Sequence, residues 1–205
     1  MQIREIERTE KQVINAVVSI HLDTFQGFFL TFMGRDFLQL MYSTYCKHDT
    51  SGLLVAFDDV EQPVGFLAYS SDMSGLYRFM IRRMLFPFAW YSMGAFLRKP
   101  KILLHLIRAF LKPNESKCDE KYVRLASIGV SPNKKSNGTG SKLIDYLKDH
   151  VDFSQYAYIA LETDGENNDR TNAFYLKNGF VLDQTYETPE GRKMNEYHYF
   201  GSGCA

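Results

Sequence analysis

Lys134, Lys135, Gly138 and Gly140 stand together in VSPNKKSNGTGSKLI (residues 130–144), among the hydroxyls of Ser136, Thr139 and Ser141. Two cationic side chains and two residues without a Cβ suit the binding of an anion. The glycines let a ligand approach the backbone N–H groups, and the lysines add full positive charge. His21 is a second group with useful chemistry. Its ordinary pKa of about 6.5 suits proton removal near neutral pH. The alternative is a core histidine, because Val13, Ile14, Val17 and Val18 share its helical face.

The elements that position the loop can be read around it. YVRLASIGV (Tyr122–Val130) is β-branched and aromatic and predicts a strand. Leu143, Ile144, Leu147 and Val151 recur at helical spacing after it. The order is strand, glycine turn, helix, and the first turn of a helix offers unpaired N–H groups and a partial positive charge to a phosphate. Upstream, Gln2–Glu7 predicts a short strand, and Thr9 with Gln12 has capping-box spacing for the helix that carries His21. A second helix is expected near Arg35–Tyr45, then paired strands over Gly52–Asp58 and Pro63–Ser70. Downstream, YAYIALET predicts a strand and NDRTNAFYLKN a helix stopped by Gly179. FVLDQTYE and RKMNEYHYF close the chain as two strands. The expected class is mixed α/β, with antiparallel hairpins at both ends.

With 205 residues the chain fits a single domain, 1–205, and its net charge of zero argues against a nucleic-acid partner. Three scattered cysteines without a C-x-x-C predict a reducing compartment, no disulfide framework and no metal site. The charged N-terminus lacks the apolar core of a signal peptide, so a cytoplasmic location is expected. The longest uncharged apolar run, Met84 to Leu97, is shorter than the ~18 residues of a membrane span.

Two nucleotide motifs fail on spacing. GTGSK does not complete a P-loop, and Leu143 stands where a dinucleotide fingerprint needs its third glycine. Val130-Ser131-Pro132 followed by Lys135-Ser136-Asn137-Gly138-Thr139-Gly140 instead resembles the acetyl-coenzyme A signature of the GNAT superfamily of N-acetyltransferases, with Lys135 replacing the usual Gln or Arg. Downstream, Asn168, Thr171, Phe174, Tyr175, Gly179 and Phe180 resemble the family's second motif, with Thr171 in place of Ala. The resemblance is close over 120–200 and loose over 2–70. It implies a mostly antiparallel twisted sheet splayed open between its fourth and fifth strands, with the cofactor in the gap.

The resemblance also implies roles. Pantetheine lies along Ile128-Gly129-Val130, with the Val130 N–H facing the developing oxyanion. Backbone groups from Lys135 and Ser136 through Asn137, Gly138, Thr139 and Gly140 to Ser141 take the diphosphate, and Asn168 meets a pantetheine amide. Tyr175 matches the general acid. Many relatives carry a Glu two residues before the Ile-x-Val, where this chain has Ala126. The base is left among Glu162 at the end of the fifth strand, His21 and water. Asp23 and Phe28, in the segment that borders the acceptor in the family, join His21 as acceptor-site residues.

Residues 72–118 form an insert between the third and fourth strands. Positions 75–112 carry eight Lys/Arg and no acid, so the remainder of the neutral chain holds about −8. Two helices split near Pro100 are expected. Three readings stand for them: helices packed on the domain, a homodimer through aromatics, or contact with an anionic membrane or a lipid-linked substrate at the inner face of the membrane. The implied activity is acetyl transfer from acetyl-CoA to a primary amine of a small molecule such as an amino sugar. The alternatives are a protein or peptide amine as acceptor, or a silent acyl-CoA-binding module.

Overall fold

The computed structural model describes residues 1–7, 9–26, 29–80, 82, 120–134, 138–189 and 191–201. Most of the 72–118 insert, with both its expected helices, lies outside the described residues. So do Gly27, Phe28, Lys135, Ser136 and Asn137.

Seven strands build one sheet in the order β1-β2-β3-β4-β5-β7-β6. They are β1 (Gln2–Glu5), β2 (Ser51–Phe57), β3 (Pro63–Ser70), β4 (Tyr122–Val130), β5 (Tyr158–Asp164), β6 (Val181–Glu187) and β7 (Lys193–Phe200). Every pairing is antiparallel except β4 with β5. Helices α1 (Lys11–Thr24), α2 (Phe29–Phe32) and α3 (Arg35–Tyr45) precede β2, residues 73–80 form α4, and α5 (Thr139–His150) and α6 (Asp169–Lys177) flank β5.

The sheet is covered on both faces, which is why β2 and β3 read as nearly unbroken apolar runs. Strand alternation sends Leu53 and Val55 to one side, against Val17, Val18, Leu38 and Tyr42 of α1 and α3. It sends Leu54 and Ala56 to the other, where Leu143, Ile144 and Leu147 of α5 pack with Tyr175 and Phe180. The two cores separate a cofactor side, with α5 and α6, from an opposite side with α1, α3 and α4.

The N-terminus of α1 departs from expectation. No side chain caps it, and the expected pairing of Thr9 with Gln12 does not form. Glu10 is the residue before the helix, and its carboxylate accepts from the Glu7 N–H and from both terminal nitrogens of Arg4. A two-pronged charged partner holds the carboxylate more firmly than a neutral hydroxyl could. At the other end of the chain Gly179 stops α6 as expected. It lies at φ +78°, and the N–H groups of Gly179 and Phe180 return to the carbonyls of Leu176 and Tyr175.

Candidate acyl-coenzyme A and acceptor site

β4 and β5 pair over only three residues, Tyr122–Arg124 against Tyr158–Ala160. Beyond Arg124 no β5 residue faces β4, so the sheet opens there as expected. On its other edge β4 stays paired with β3, and the register skips Ala126 between Leu125↔Tyr69 and Ser127↔Ala68. Ala126 is therefore a β-bulge, which bends the strand and turns Ser127 to the side opposite α5.

Ser131 donates to the Val64 carbonyl at 2.9 Å, in register with Gly65↔Val130. Antiparallel alternation then gives the N–H groups of Gly129 and Ser127 to β3 and directs those of Ile128 and Val130 into the gap. A ligand that runs along β4 meets an open edge there. The carbonyl of Val130 accepts a bond from Thr24 Oγ1 at 3.2 Å, which ties α1 to the end of the strand.

The glycine turn follows. Gly138 takes the left-handed conformation (φ 70°) immediately before α5, and a Cβ there would meet nothing within 4 Å. Lys142 donates to the Gly138 carbonyl, the first bond inside α5. The N–H groups of Thr139, Gly140 and Ser141 thus have no partner within the helix, at its positive end. The Cα of Gly140 lies so close to Phe174 that a Cβ would approach the ring to 3.0 Å. The two glycine-dependent motifs therefore touch. This pairing of an open strand edge with a bare helix start fits the extended arm and diphosphate of an acyl-coenzyme A.

Tyr175 is buried beside Phe180 and Tyr197, and burial raises its phenol above the ordinary range, so it keeps its proton. Asn168 spends its amide nitrogen on Thr163 Oγ1 (2.8 Å) and the Asp164 carbonyl (3.2 Å). That fixes the turn into α6 and leaves Oδ1 to receive an amide N–H. Glu162 lies on the opposite side with Arg124, 3.0 Å away, and its charge helps to raise the Tyr186 phenol, after burial. Burial opposes the Arg124 charge, but Glu162, Tyr122 and Glu196 more than offset it. Asp23 is exposed in the last turn of α1.

His21 is not positioned to touch an acceptor directly. Only 3% of it is exposed, beside the rings of Phe25 and Phe66, and burial depresses its pKa to about 4. Its Nδ1 lies 2.7 Å from the Tyr42 hydroxyl.

Several residues on this side were not anticipated. Tyr122 stacks on Tyr158, and Tyr158 stacks on His198. His198 sits between carboxylates, with Nε2 3.2 Å from Glu196 and Nδ1 3.6 Å from Asp183. These three residues have ligand atoms within 4.8 Å of one another, a spacing that admits a metal ion. Glu196 also accepts from Gln184 and lies 3.9 Å from Arg124, so the cluster already forms an internal network. Strand alternation in Tyr122-Val123-Arg124 and Glu196-Tyr197-His198 was the available signal for a shared face.

A sheet opened between parallel neighbours, with a bare helix start beside the opening, defines an acyl-coenzyme A-binding transferase. The model of the GNAT acetyltransferase family matches residues 14–180, and the chain belongs to that family, whose members are acetyl-CoA-dependent acetyltransferases. An aminoglycoside 6′-acetyltransferase of type Ii is similar over 98% of this chain and 97% of its own (14% identity, TM-score 0.63). A GNAT-family protein from Desulfovibrio desulfuricans matches over 97% and 98% (16%, TM-score 0.60). The ribosomal-protein-S18-alanine N-acetyltransferase from Escherichia coli matches over 100% and 96% (14%, TM-score 0.58). At these identities the likeness is one of fold. No curated protein matches the chain.

Proposed function

We propose that this chain moves the acetyl group of acetyl-CoA to a primary amine of a small molecule, by direct attack with Tyr175 as the general acid. One observation carries the reading. β4 leaves β5 after Arg124 and turns the Ile128 and Val130 N–H groups into the gap, beside the first turn of α5. When bound, acetyl-CoA supplies an activated thioester. The chain's residues do the rest. The Val130 N–H stabilises negative charge on the carbonyl oxygen, and Tyr175 holds a proton for the departing sulfur. Glu162, acting through water, is the base that its position on the acceptor side supports best.

A small acceptor is favoured by the walls of that side. Tyr77, on the insert's first helix α4, lies within electrostatic reach of Arg124 and Glu162, and Tyr122, Tyr158 and Tyr186 line the same face. Aromatic walls around carboxylates suit a small ammonium-bearing molecule, such as an amino sugar, better than a polypeptide. The proposal keeps the chain cytoplasmic, with the basic insert available for an anionic membrane.

Calorimetry with acetyl-CoA tests the first step. Thiol release with glucosamine, spermidine and a short peptide bearing a free N-terminus tests the second. Binding with turnover of a small amine is expected. Turnover of the peptide alone replaces the acceptor class, and no heat with acetyl-CoA overturns the enzymatic reading.

A further inference from the structure

The last turn of α1 reaches β4 at the edge that faces the gap, where Thr24 Oγ1 donates to the Val130 carbonyl at 3.2 Å. Its neighbours hold Thr24 in place. Phe25 packs against Gly129, where a Cβ would come within 3.3 Å of that ring and 2.7 Å of Phe66. The missing side chain lets α1 lie against the strand. The N–H of Phe25 returns to the His21 carbonyl, and the Phe25 carbonyl accepts from Thr31 Oγ1 at 2.6 Å.

The peptide that joins Val130 to Ser131 is therefore gripped at both ends. Its N–H donates to Val64 of β3 at 2.9 Å, and its oxygen accepts from Thr24 of α1. In an extended strand the N–H and C=O of one residue point to the same side. Val130 thus turns a donor and, beside it, an oxygen of partial negative charge into the gap. An uncapped carbonyl would repel the negative charge that the neighbouring N–H stabilises. The Thr24 hydroxyl sets a proton against that oxygen and offsets the repulsion, with more weight in a partly buried gap than in water.

We infer that Thr24 is a positioning residue for acetyl transfer, which holds the end of β4 and neutralises the carbonyl beside the N–H that meets the oxyanion. The inference rests on the proposed activity and adds a residue to its oxyanion site. As the acceptor nitrogen bonds to the thioester carbon, an electron pair moves onto the carbonyl oxygen. It returns as the C–S bond breaks, the sulfur takes the Tyr175 proton, and the nitrogen gives one to the base. Thr24 acts through Val130 on the first of these events and need not touch the acceptor. Because the oxygen carries most charge in the transition state, the effect falls on kcat more than on binding.

Thr24→Val keeps the shape and removes the hydroxyl, whereas Thr24→Ser keeps the hydroxyl. Difference infrared spectra of bound acetyl-CoA, isotope-labelled at the thioester carbonyl, read the polarisation without an acceptor. A carbonyl band at lower frequency in wild type and Thr24→Ser than in Thr24→Val is expected. One frequency in all three proteins overturns the inference. Thiol release with glucosamine and with spermidine reads the rate. Thr24→Val is expected to lower kcat about tenfold with the KM for acetyl-CoA unchanged, and Thr24→Ser to restore it. A kcat within twofold of wild type in Thr24→Val, or a loss confined to the KM for acetyl-CoA, also overturns it. Where neither amine is turned over, the infrared band decides. Absent acetyl-CoA binding by calorimetry of the wild type strikes the underlying activity instead.

Discussion

Arg124 of β4 and Glu162 of β5 face one another at 3.0 Å where their strands begin to part. The guanidinium also lies 3.9 Å from Glu196 of β7, so one cation spans three strands at the mouth of the gap. Its side chain is 13% exposed and that of Glu162 is 32% exposed.

Removing the cation leaves the cross-strand carboxylates of Glu162 and Glu196 facing one another without the charge they share, although Gln184 still donates to Glu196. Arg124→Ala is expected to cost about 2 kcal/mol, below the ~3–5 kcal/mol of a fully buried pair because Glu162 keeps solvent contact. Urea unfolding at neutral pH measures it. No loss of stability would show the pair to be held by geometry alone.

Tyr175 offers a cleaner separation of chemistry from stability. Tyr175→Phe keeps the ring against Phe180 and Tyr197. The expectation is a fall in kcat of about 100-fold with little change in Tm. Because burial raises the phenol's pKa, wild-type activity should show no loss from Tyr175 ionisation up to the ordinary phenol range near 10. Matching pH–rate profiles in Tyr175→Phe and Glu162→Gln, both unchanged from wild type, would remove both from proton transfer.

His21 makes stability depend on pH. Its folded pKa of about 4 lies below the ordinary 6.5, so the unfolded chain takes up the proton first as pH falls. The contribution is complete above about pH 6.5 and is lost progressively down to about pH 4. Across that window it amounts to about 3 kcal/mol. Denaturant titrations at pH 7 and pH 4.5 should show a smaller loss in His21→Leu than in wild type. Equal losses would mean that the imidazole is not neutral in the fold.

Gly138 tests the anion cradle. At φ 70° a side chain strains the backbone by about 1–2 kcal/mol even though space is open around it. Gly138→Ala should shift the turn away from this conformation and weaken acetyl-CoA binding about tenfold by calorimetry. An unchanged Kd would place the diphosphate elsewhere.

Local patterns in the sequence carried much of this protein. α3 over Arg35–Tyr45 and the stop of α6 at Gly179 were legible because helical periodicity and a left-handed glycine depend on neighbours in sequence. So was the turn at Gly138, and the spacing of two glycine-dependent motifs carried the family. The start of α1 was misread, because Arg4 of the preceding strand holds Glu10 and no short motif encodes that contact. The acceptor side was decided by the tertiary structure. Arg124 meets Glu162 only once β4 and β5 lie in parallel, and His21 meets Tyr42 only once α1 packs on α3. Residue type and spacing determine which backbone turns can form and what they can bind. Which charges pair, and which hydroxyl faces a substrate, depends on burial and on strand register, and both arise only when distant segments pack.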